Sequence, residues 1–340
     1  MFVPFCAQTP PTHRAKRETP SLLCRAKLLS IIPHTHTKTI MTSSPPRILL
    51  LLLSAFAVVL PCLHSGWGVD AKVLSSYDRS RALRAVYYSK TAYCPVDDIY
   101  SWNSTSAAYN PGLQEIVVFD HSNFDMQAFT GYDKAHNEII VAFRGSSNIK
   151  NWIADLTFIF TDYAEHPNCN GCRVHKGFYE TWTNMSQQVL QDVAAKLSRH
   201  RSASIFVTGH SLGAAVAELA EVDMVKSFPN QGHVLYTFGE PRVGDDNFVS
   251  WVGTIYTTRH IRITHNRDPV PHVPPMLLGY LHVPTEVWFK GDGDDGEMQC
   301  QDSYTSEDPN CSDTIILYDL LDHLRYMGRK IGTQGACFDN

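Results

Sequence analysis

From Tyr77 onward, apolar positions fall into two alternating rhythms, one helical and one of short strands. Leu83, Val86 and Tyr87 recur at three- and four-residue spacing, which predicts a first helix over Tyr77 to Thr91. Gln127 to Tyr132 and Glu138 to Arg144 read as strands joined by a polar turn at Asp133 to Asn137. A helix over Trp182 to Leu197 follows, then the apolar run Ile205-Phe206-Val207 and the helix-favouring stretch Ala214 to Ala220. His233 to Phe238 predicts a strand, Asp246 to Val252 a helix, and His260 to Thr264 a strand in which Ile261 and Ile263 alternate. Strands that alternate with helices imply an α/β fold, a mainly parallel sheet covered on both faces. Groups that do chemistry in such sheets sit at the carboxyl ends of strands.

One such strand end is distinctive. Gly209-His210-Ser211-Leu212-Gly213 stands between an apolar strand and a helix, with glycines two before and two after the serine. A strand-to-helix turn that tight leaves no room for side chains at those two positions, and it lifts the serine hydroxyl clear of its own backbone. The segment predicts a nucleophile elbow with Ser211 attacking an acyl carbonyl.

The first 71 residues lack this organisation. Residues 1–40 mix Pro, Thr, His and Arg without apolar period, which reads as disorder, or as untranslated sequence if synthesis starts at Met41. Arg47 then precedes thirteen apolar or small residues, Ile48 to Leu60, too short for a membrane span but suited to a signal-peptide core. Residues 41–71 are expected to be a signal peptide, cleaved near Ala71, leaving 72–340 as one domain without repeat or Gly/Ser linker and the protein extracellular. Of 29 Lys+Arg and 34 Asp+Glu, seven and two lie in residues 1–71, leaving 22 against 32. An acidic surface argues against nucleic acid and against docking on anionic membranes.

Six cysteines remain beyond residue 71, namely Cys94, Cys169, Cys172, Cys300, Cys311 and Cys337, an even set that suits export. Cys169 with Cys172, and Cys300 with Cys311, are near enough in sequence to close small loops, which leaves Cys94 with Cys337. The competing reading of Cys169-Asn170-Gly171-Cys172 is half a zinc site or a redox motif, but no second pair stands at zinc spacing. Sequons at Asn103, Asn184 and Asn310 are candidate glycosylation sites. The acidic cluster Asp292, Asp294, Asp295 and Glu297 lacks calcium-loop spacing and reads as a solvated turn. No metal and no cofactor are expected.

A serine needs an imidazole to take its proton and a carboxylate to orient that imidazole. In sheets of this type the chain order is Ser, Asp or Glu, His. Asp268 lies in the turn Asn266-Arg267-Asp268-Pro269-Val270-Pro271 after a strand, where the acid belongs; Glu240 is the rival. His272, His282 and His323 follow, and the late position of His323, before a helix-like end, suits the base. The backbone N–H of Leu212 is one expected oxyanion donor. The loop Arg144-Gly145-Ser146-Ser147 offers the other, with Ser146 able to add a hydroxyl.

These residues, together with Asn151-Trp152-Ile153-Ala154-Asp155-Leu156, Val174-His175-Lys176-Gly177-Phe178, Gly239-Glu240-Pro241-Arg242-Val243-Gly244, Arg267 to His272 and Leu321-Asp322-His323-Leu324, resemble the class 3 lipases, secreted triacylglycerol lipases of the filamentous-fungal type, from about Tyr77 to Cys337. The resemblance implies an α/β-hydrolase fold, a triad of Ser211, Asp268 and His323, an oxyanion hole of Ser146 and Leu212, and a lid at about residues 147–160. It also implies disulfides Cys94 with Cys337 and Cys300 with Cys311. Two departures stand out: Ile99 to Ser104 carries no counterpart of a small N-terminal disulfide loop, and Ala214 replaces a third glycine after the elbow.

Ile149, Trp152, Ile153 and Leu156 fall on one helical face, so a short amphipathic lid helix is expected. The expected activity is ester hydrolysis of triacylglycerols by a monomer at a lipid–water interface, with lid-gated activation. Phospholipase A1 and feruloyl esterase are alternatives on the same scaffold, and a non-catalytic lipid-binding protein is the alternative from another class.

Overall fold

The computed structural model describes residues 77–121, 125–163, 166, 168–256, 259–291, 293 and 296–339. The expected signal peptide and the stretch before it lie outside the described residues, as do Asp292, Asp294 and Asp295. The chain begins with helices α1 (Arg79–Thr91) and α2 (Val96–Ser101), strands β1 (Leu113–His121), β2 (Met126–Asp133) and β3 (Glu138–Phe143), and the short helix α3 (Ile149–Asp155). Strands β4 (Phe160–Asp162) and β5 (Arg173–His175) lead into the long helix α4 (Lys176–Arg199), strand β6 (Ser204–His210), helix α5 (Leu212–Ser227) and strand β7 (His233–Phe238). Then come β8 (Gly244–Asp245), α6 (Asp246–Ile255), β9 (Arg259–His265), β10 (Tyr280–Leu281), β11 (Glu286–Phe289), β12 (Glu297–Gln299) and the hairpin β13 (Arg325–Tyr326) and β14 (Arg329–Lys330).

An eight-stranded sheet runs β1-β2-β3-β6-β7-β9-β11-β12. Its centre, from β3 to β11, is parallel, and its edges are antiparallel. Alternate side chains explain why these strands read as unbroken apolar runs. Ile139, Val141, Ile205, Val207 and Leu235 point into one core with α4, α5 and α6, while Ile140, Ala142, Phe206, Val234 and Tyr236 point into another with α1. This is the α/β-hydrolase architecture expected from the sequence. A second sheet, β10-β8-β5-β4, was not foreseen. Its strands are two or three residues long, below the length at which alternation registers.

All three expected disulfides form, Cys94–Cys337, Cys169–Cys172 and Cys300–Cys311, so Cys169 and Cys172 are not half of a zinc site. The stretch directly after His323 is not helix-like as expected, and only a 3₁₀ turn at Gly335–Phe338 follows before the end of the described residues. After His323 the chain folds into the β13–β14 hairpin, turning through Met327 and Gly328 at positive φ, a conformation incompatible with helix.

Candidate active site

The elbow is built by exclusion of side chains. A Cβ on Gly209 would stand 2.2 Å from the carbonyl oxygen of Gly213, and one on Gly213 would stand 2.5 Å from that of Phe143. Ser211, between them, holds φ 61° and ψ −132°, a strained conformation for a side-chain-bearing residue. Its amide donates to the carbonyl of Phe238 at 2.9 Å, anchoring the turn to the end of β7. The Ser211 hydroxyl is fully buried and makes no hydrogen bond within the protein.

Asp268 and His323 are brought together from positions 55 residues apart. Nδ1 of His323 lies 2.7 Å from Oδ2 of Asp268, both side chains buried. The backbone N–H of Val270 donates to Oδ1 at 2.7 Å, and the Tyr326 hydroxyl donates to the same Oδ2 that faces His323. Burial opposes charge on Asp268, but the His323 imidazole and these donors outweigh it and hold the carboxyl below its usual range. Nε2 of His323 is buried without a partner, and its ring stacks on that of His210, the residue before Ser211, at 4.5 Å. Gly239 at φ +58° makes room, since a Cβ there would meet His323 and the Tyr326 hydroxyl at 2.8 and 2.7 Å.

The rival candidates are engaged elsewhere. Glu240 faces His260, His272 faces Asp313 at 3.2 Å, and His282 bonds the carbonyl of Pro271. Asp322 accepts the Arg267 amide, not the neighbouring imidazole.

Ser146 and Leu212 are both buried beside the elbow, Leu212 opening α5 and Ser146 in the loop after β3. A Cβ on Gly145 would meet Ser211 Cβ at 2.9 Å, so this loop packs directly against the serine. Two residues that carry no motif hold it there. Asp125, from the β1–β2 turn, accepts the Ser146 hydroxyl at 2.9 Å, the Ser147 amide at 2.7 Å and Arg144 at 2.9 Å. Tyr93 accepts the Gly145 amide at 3.0 Å and contacts Nδ1 of His210 at 2.8 Å, while Nε2 of His210 bonds the His323 carbonyl at 2.9 Å. Loop, elbow and base are thus joined by one buried network. Sequence reading missed Asp125, Tyr93 and Tyr326; only the placement of Tyr326 three residues past His323 was a usable signal.

The expected amphipathic helix forms in part. α3 covers Ile149, Trp152 and Ile153, with Asn148 capping its first turn, but Leu156 lies past the helix in extended backbone. Ile149 is buried, and Trp152 and Leu156 pack on the α4 core, with Trp152 and Phe178 stacked at 6.2 Å. Trp152, Leu156, His175, Phe178, Thr181 and Leu212 line a cavity of about 230 Å³. A larger, more apolar cavity of about 540 Å³ lies between α3 and the His323 segment, lined by Ser147, Ile149, Leu321, Leu324 and Gly332. The sequons at Asn103, Asn184 and Asn310 are exposed, and Glu297 bonds Tyr77 and Arg79. Among the described residues no helix is long and apolar enough to cross a membrane.

The family described as Lipase (class 3) matches residues 140–278. A lipase from Rhizomucor miehei is 33% identical over 252 residues, covering 72% of this chain and 67% of its own. Secreted mono- and diacylglycerol lipase 1 from Fusarium solani is 36% identical over 206 residues, covering 58% of this chain and 59% of its own, so the chain spans about two thirds or less of the length of these curated relatives. Among solved structures, the Rhizomucor miehei lipase propeptide complex superposes with a TM-score of 0.69 at 30% identity, over 75% of this chain and 83% of that one. A triacylglycerol lipase whose catalytic centre is formed by a serine protease triad superposes with a TM-score of 0.70, also at 30% identity, over 76% of this chain and 97% of its own. With this fold, this coverage and an elbow, acid and imidazole in the expected order, the chain belongs to the class 3 lipase family.

Proposed function

We propose that the protein is a secreted serine esterase that hydrolyses triacylglycerols through an acyl-enzyme, with Ser211, His323 and Asp268 as nucleophile, base and orienting acid. The observation that carries this reading is the buried Asp268–His323 bond of 2.7 Å, which leaves Nε2 of the imidazole and the Ser211 hydroxyl both uncommitted. Nε2 takes the serine proton as Oγ attacks the ester carbonyl, and Asp268 stabilises the imidazolium that forms. The tetrahedral oxyanion takes hydrogen bonds from the N–H of Leu212 and from Ser146. Because the Ser146 hydroxyl donates to Asp125, its backbone N–H is the donor for this purpose. Collapse expels the alcohol with the proton from His323, and water then repeats the sequence to release the fatty acid.

Access is governed by residues 147–160. Transfer of Ile149, Trp152, Ile153 and Leu156 into lipid contributes roughly 6 to 12 kcal/mol before ordering costs, against about 5.5 needed to invert a 1:99 population. The segments around the site support a lipid-facing role. Phe158 and Ile159 follow α3, Met276 to Leu278 follow Asp268, and Ile316, Leu317 and Leu321 precede His323, all exposed, with Leu277 at 95% and Ile316 at 86%. Residues 41–71 serve as the signal peptide, 72–340 as the mature enzyme.

Ser211→Ala is expected to abolish hydrolysis of emulsified triolein while leaving the circular dichroism spectrum unchanged, and a serine-directed phosphonate should label wild type only. Phospholipid and feruloyl ester substrates run in parallel assign the ester class. Phosphonate-inert but active wild-type protein would overturn the reading.

A further inference from the structure

Behind the elbow lies a buried cluster that ester hydrolysis does not use. Helix α5 is buried along Leu212 to Val222, yet it carries two glutamates among its alanines, leucines and valines. Glu218, Glu240 and His260 converge from α5, from the turn after β7 and from the start of β9, each almost wholly buried, with ligand atoms within 4.8 Å of one another. Nε2 of His260 stands 3.1 Å from Oε2 of Glu218 and 3.7 Å from Oε2 of Glu240, yet none of these three atoms makes a hydrogen bond. Burying two carboxylates costs several kcal/mol each unless a cation pairs with them.

We propose that Glu218, Glu240 and His260 form a structural divalent-metal site that takes zinc. The edge of a zinc tetrahedron with oxygen and nitrogen ligands is about 3.4 Å, between the two separations found. A divalent ion on neutral His260 cancels both carboxylate charges, whereas a proton on the imidazole cancels one. The Tyr256 hydroxyl donates to the other oxygen of Glu218 at 3.1 Å, the supporting bond that orients a carboxylate ligand. The site ties the helix that follows Ser211 to the strand that leads to Asp268.

Protein produced with zinc in the medium and dialysed against metal-free buffer is analysed for metal by mass spectrometry. The expected content is about one zinc per chain, falling roughly tenfold or more in Glu218→Gln and His260→Asn. Cobalt added to chelator-treated wild type should give the intense visible absorption of a tetrahedral site, and zinc should raise the Tm of the same sample. These wild-type measurements decide the matter even if the variants fail to fold, and none involves ester hydrolysis. Wild type without stoichiometric zinc, without the cobalt band and without a Tm shift would overturn the site and leave the cluster neutralised by protons.

Discussion

At the scale of single residues, the candidate chemistry depends on which proton His323 carries. Asp268 accepts from Nδ1, so Nε2 is the nitrogen left to act on Ser211. An asparagine at 268 presents an amide that donates as well as accepts, and so favours the tautomer protonated at Nε2. Asp268→Asn is therefore expected to lower kcat on a short soluble ester by on the order of 10⁴-fold with KM little changed. A loss confined to KM would contradict the assigned role. Ser211 and Asp268 were legible because glycines, a proline and strand ends constrain them locally, whereas His323, flanked by Asp322 and Leu324, was legible only from its late position and from the resemblance. Asp125 and Tyr93 were not, because nothing in their flanking sequence distinguishes them from ordinary polar or aromatic positions, and Tyr326 had only its nearness to His323; the roles of all three arise from contacts across 19 to 117 residues.

At the scale of elements, the segment after α3 is fastened to the scaffold through His175. Its Nδ1 accepts the Phe178 amide at 3.3 Å and so caps α4, and its Nε2–H donates to the Thr157 carbonyl at 2.5 Å, just past α3. Only the neutral imidazole can do both. Burial holds its pKa down at about 4, against a bond to Thr157 that works the other way. Between that value and the unfolded value of about 6.5, the unfolded chain binds the proton and the native chain does not. Stability therefore rises with pH through this window and is lost as pH falls from the unfolded value towards about 4, by on the order of 3 kcal/mol. His175→Asn, which keeps a cap, should flatten that dependence, measured as urea midpoints on either side of the window; an unchanged slope would reject it. Helix α4 and the apolar parallel strands β3, β6, β7 and β9 were readable from periodicity or unbroken apolar runs, whereas the nine-residue strand β1 was missed because its mixed burial gives no clean alternation. Helix α3 was read one residue too long at Leu156, and the β10-β8-β5-β4 sheet was invisible, since two-residue strands are defined by their partners.

At the scale of the molecule, Cys94–Cys337 closes almost the whole described chain, joining the end of α1 to the C-terminal segment across a separation of 243 residues. Replacing both by alanine is expected to cost about 4 kcal/mol, read as a lower denaturant midpoint with the active-site phosphonate reaction retained. The exposed apolar side chains of the three rim segments belong to this scale too. Leu277→Ser with Ile316→Ser should weaken adsorption to neutral or zwitterionic lipid droplets severalfold while leaving turnover of a short soluble ester unchanged. Equal losses in both assays would assign these residues to catalysis or folding instead.

Elimination and the resemblance to class 3 lipases carried the choice of His323 and the pairing of Cys94 with Cys337, while the sequence by itself determined the fold class, the Gly209-to-Gly213 turn and the two short-range cysteine pairs. Each of these is encoded by local sterics, by periodicity or by short spacing. Tertiary structure alone decided that Asp125 holds the Ser146 loop, that Tyr326 shares the Asp268 carboxylate with His323, that Glu240 faces His260 rather than the imidazole of the site, and that α5 carries buried glutamates toward a common point. Those outcomes depend on which distant side chains the fold brings together, and, for all but the half-exposed Asp125, on a low-dielectric interior where a polar group must find its partner in space and not along the chain.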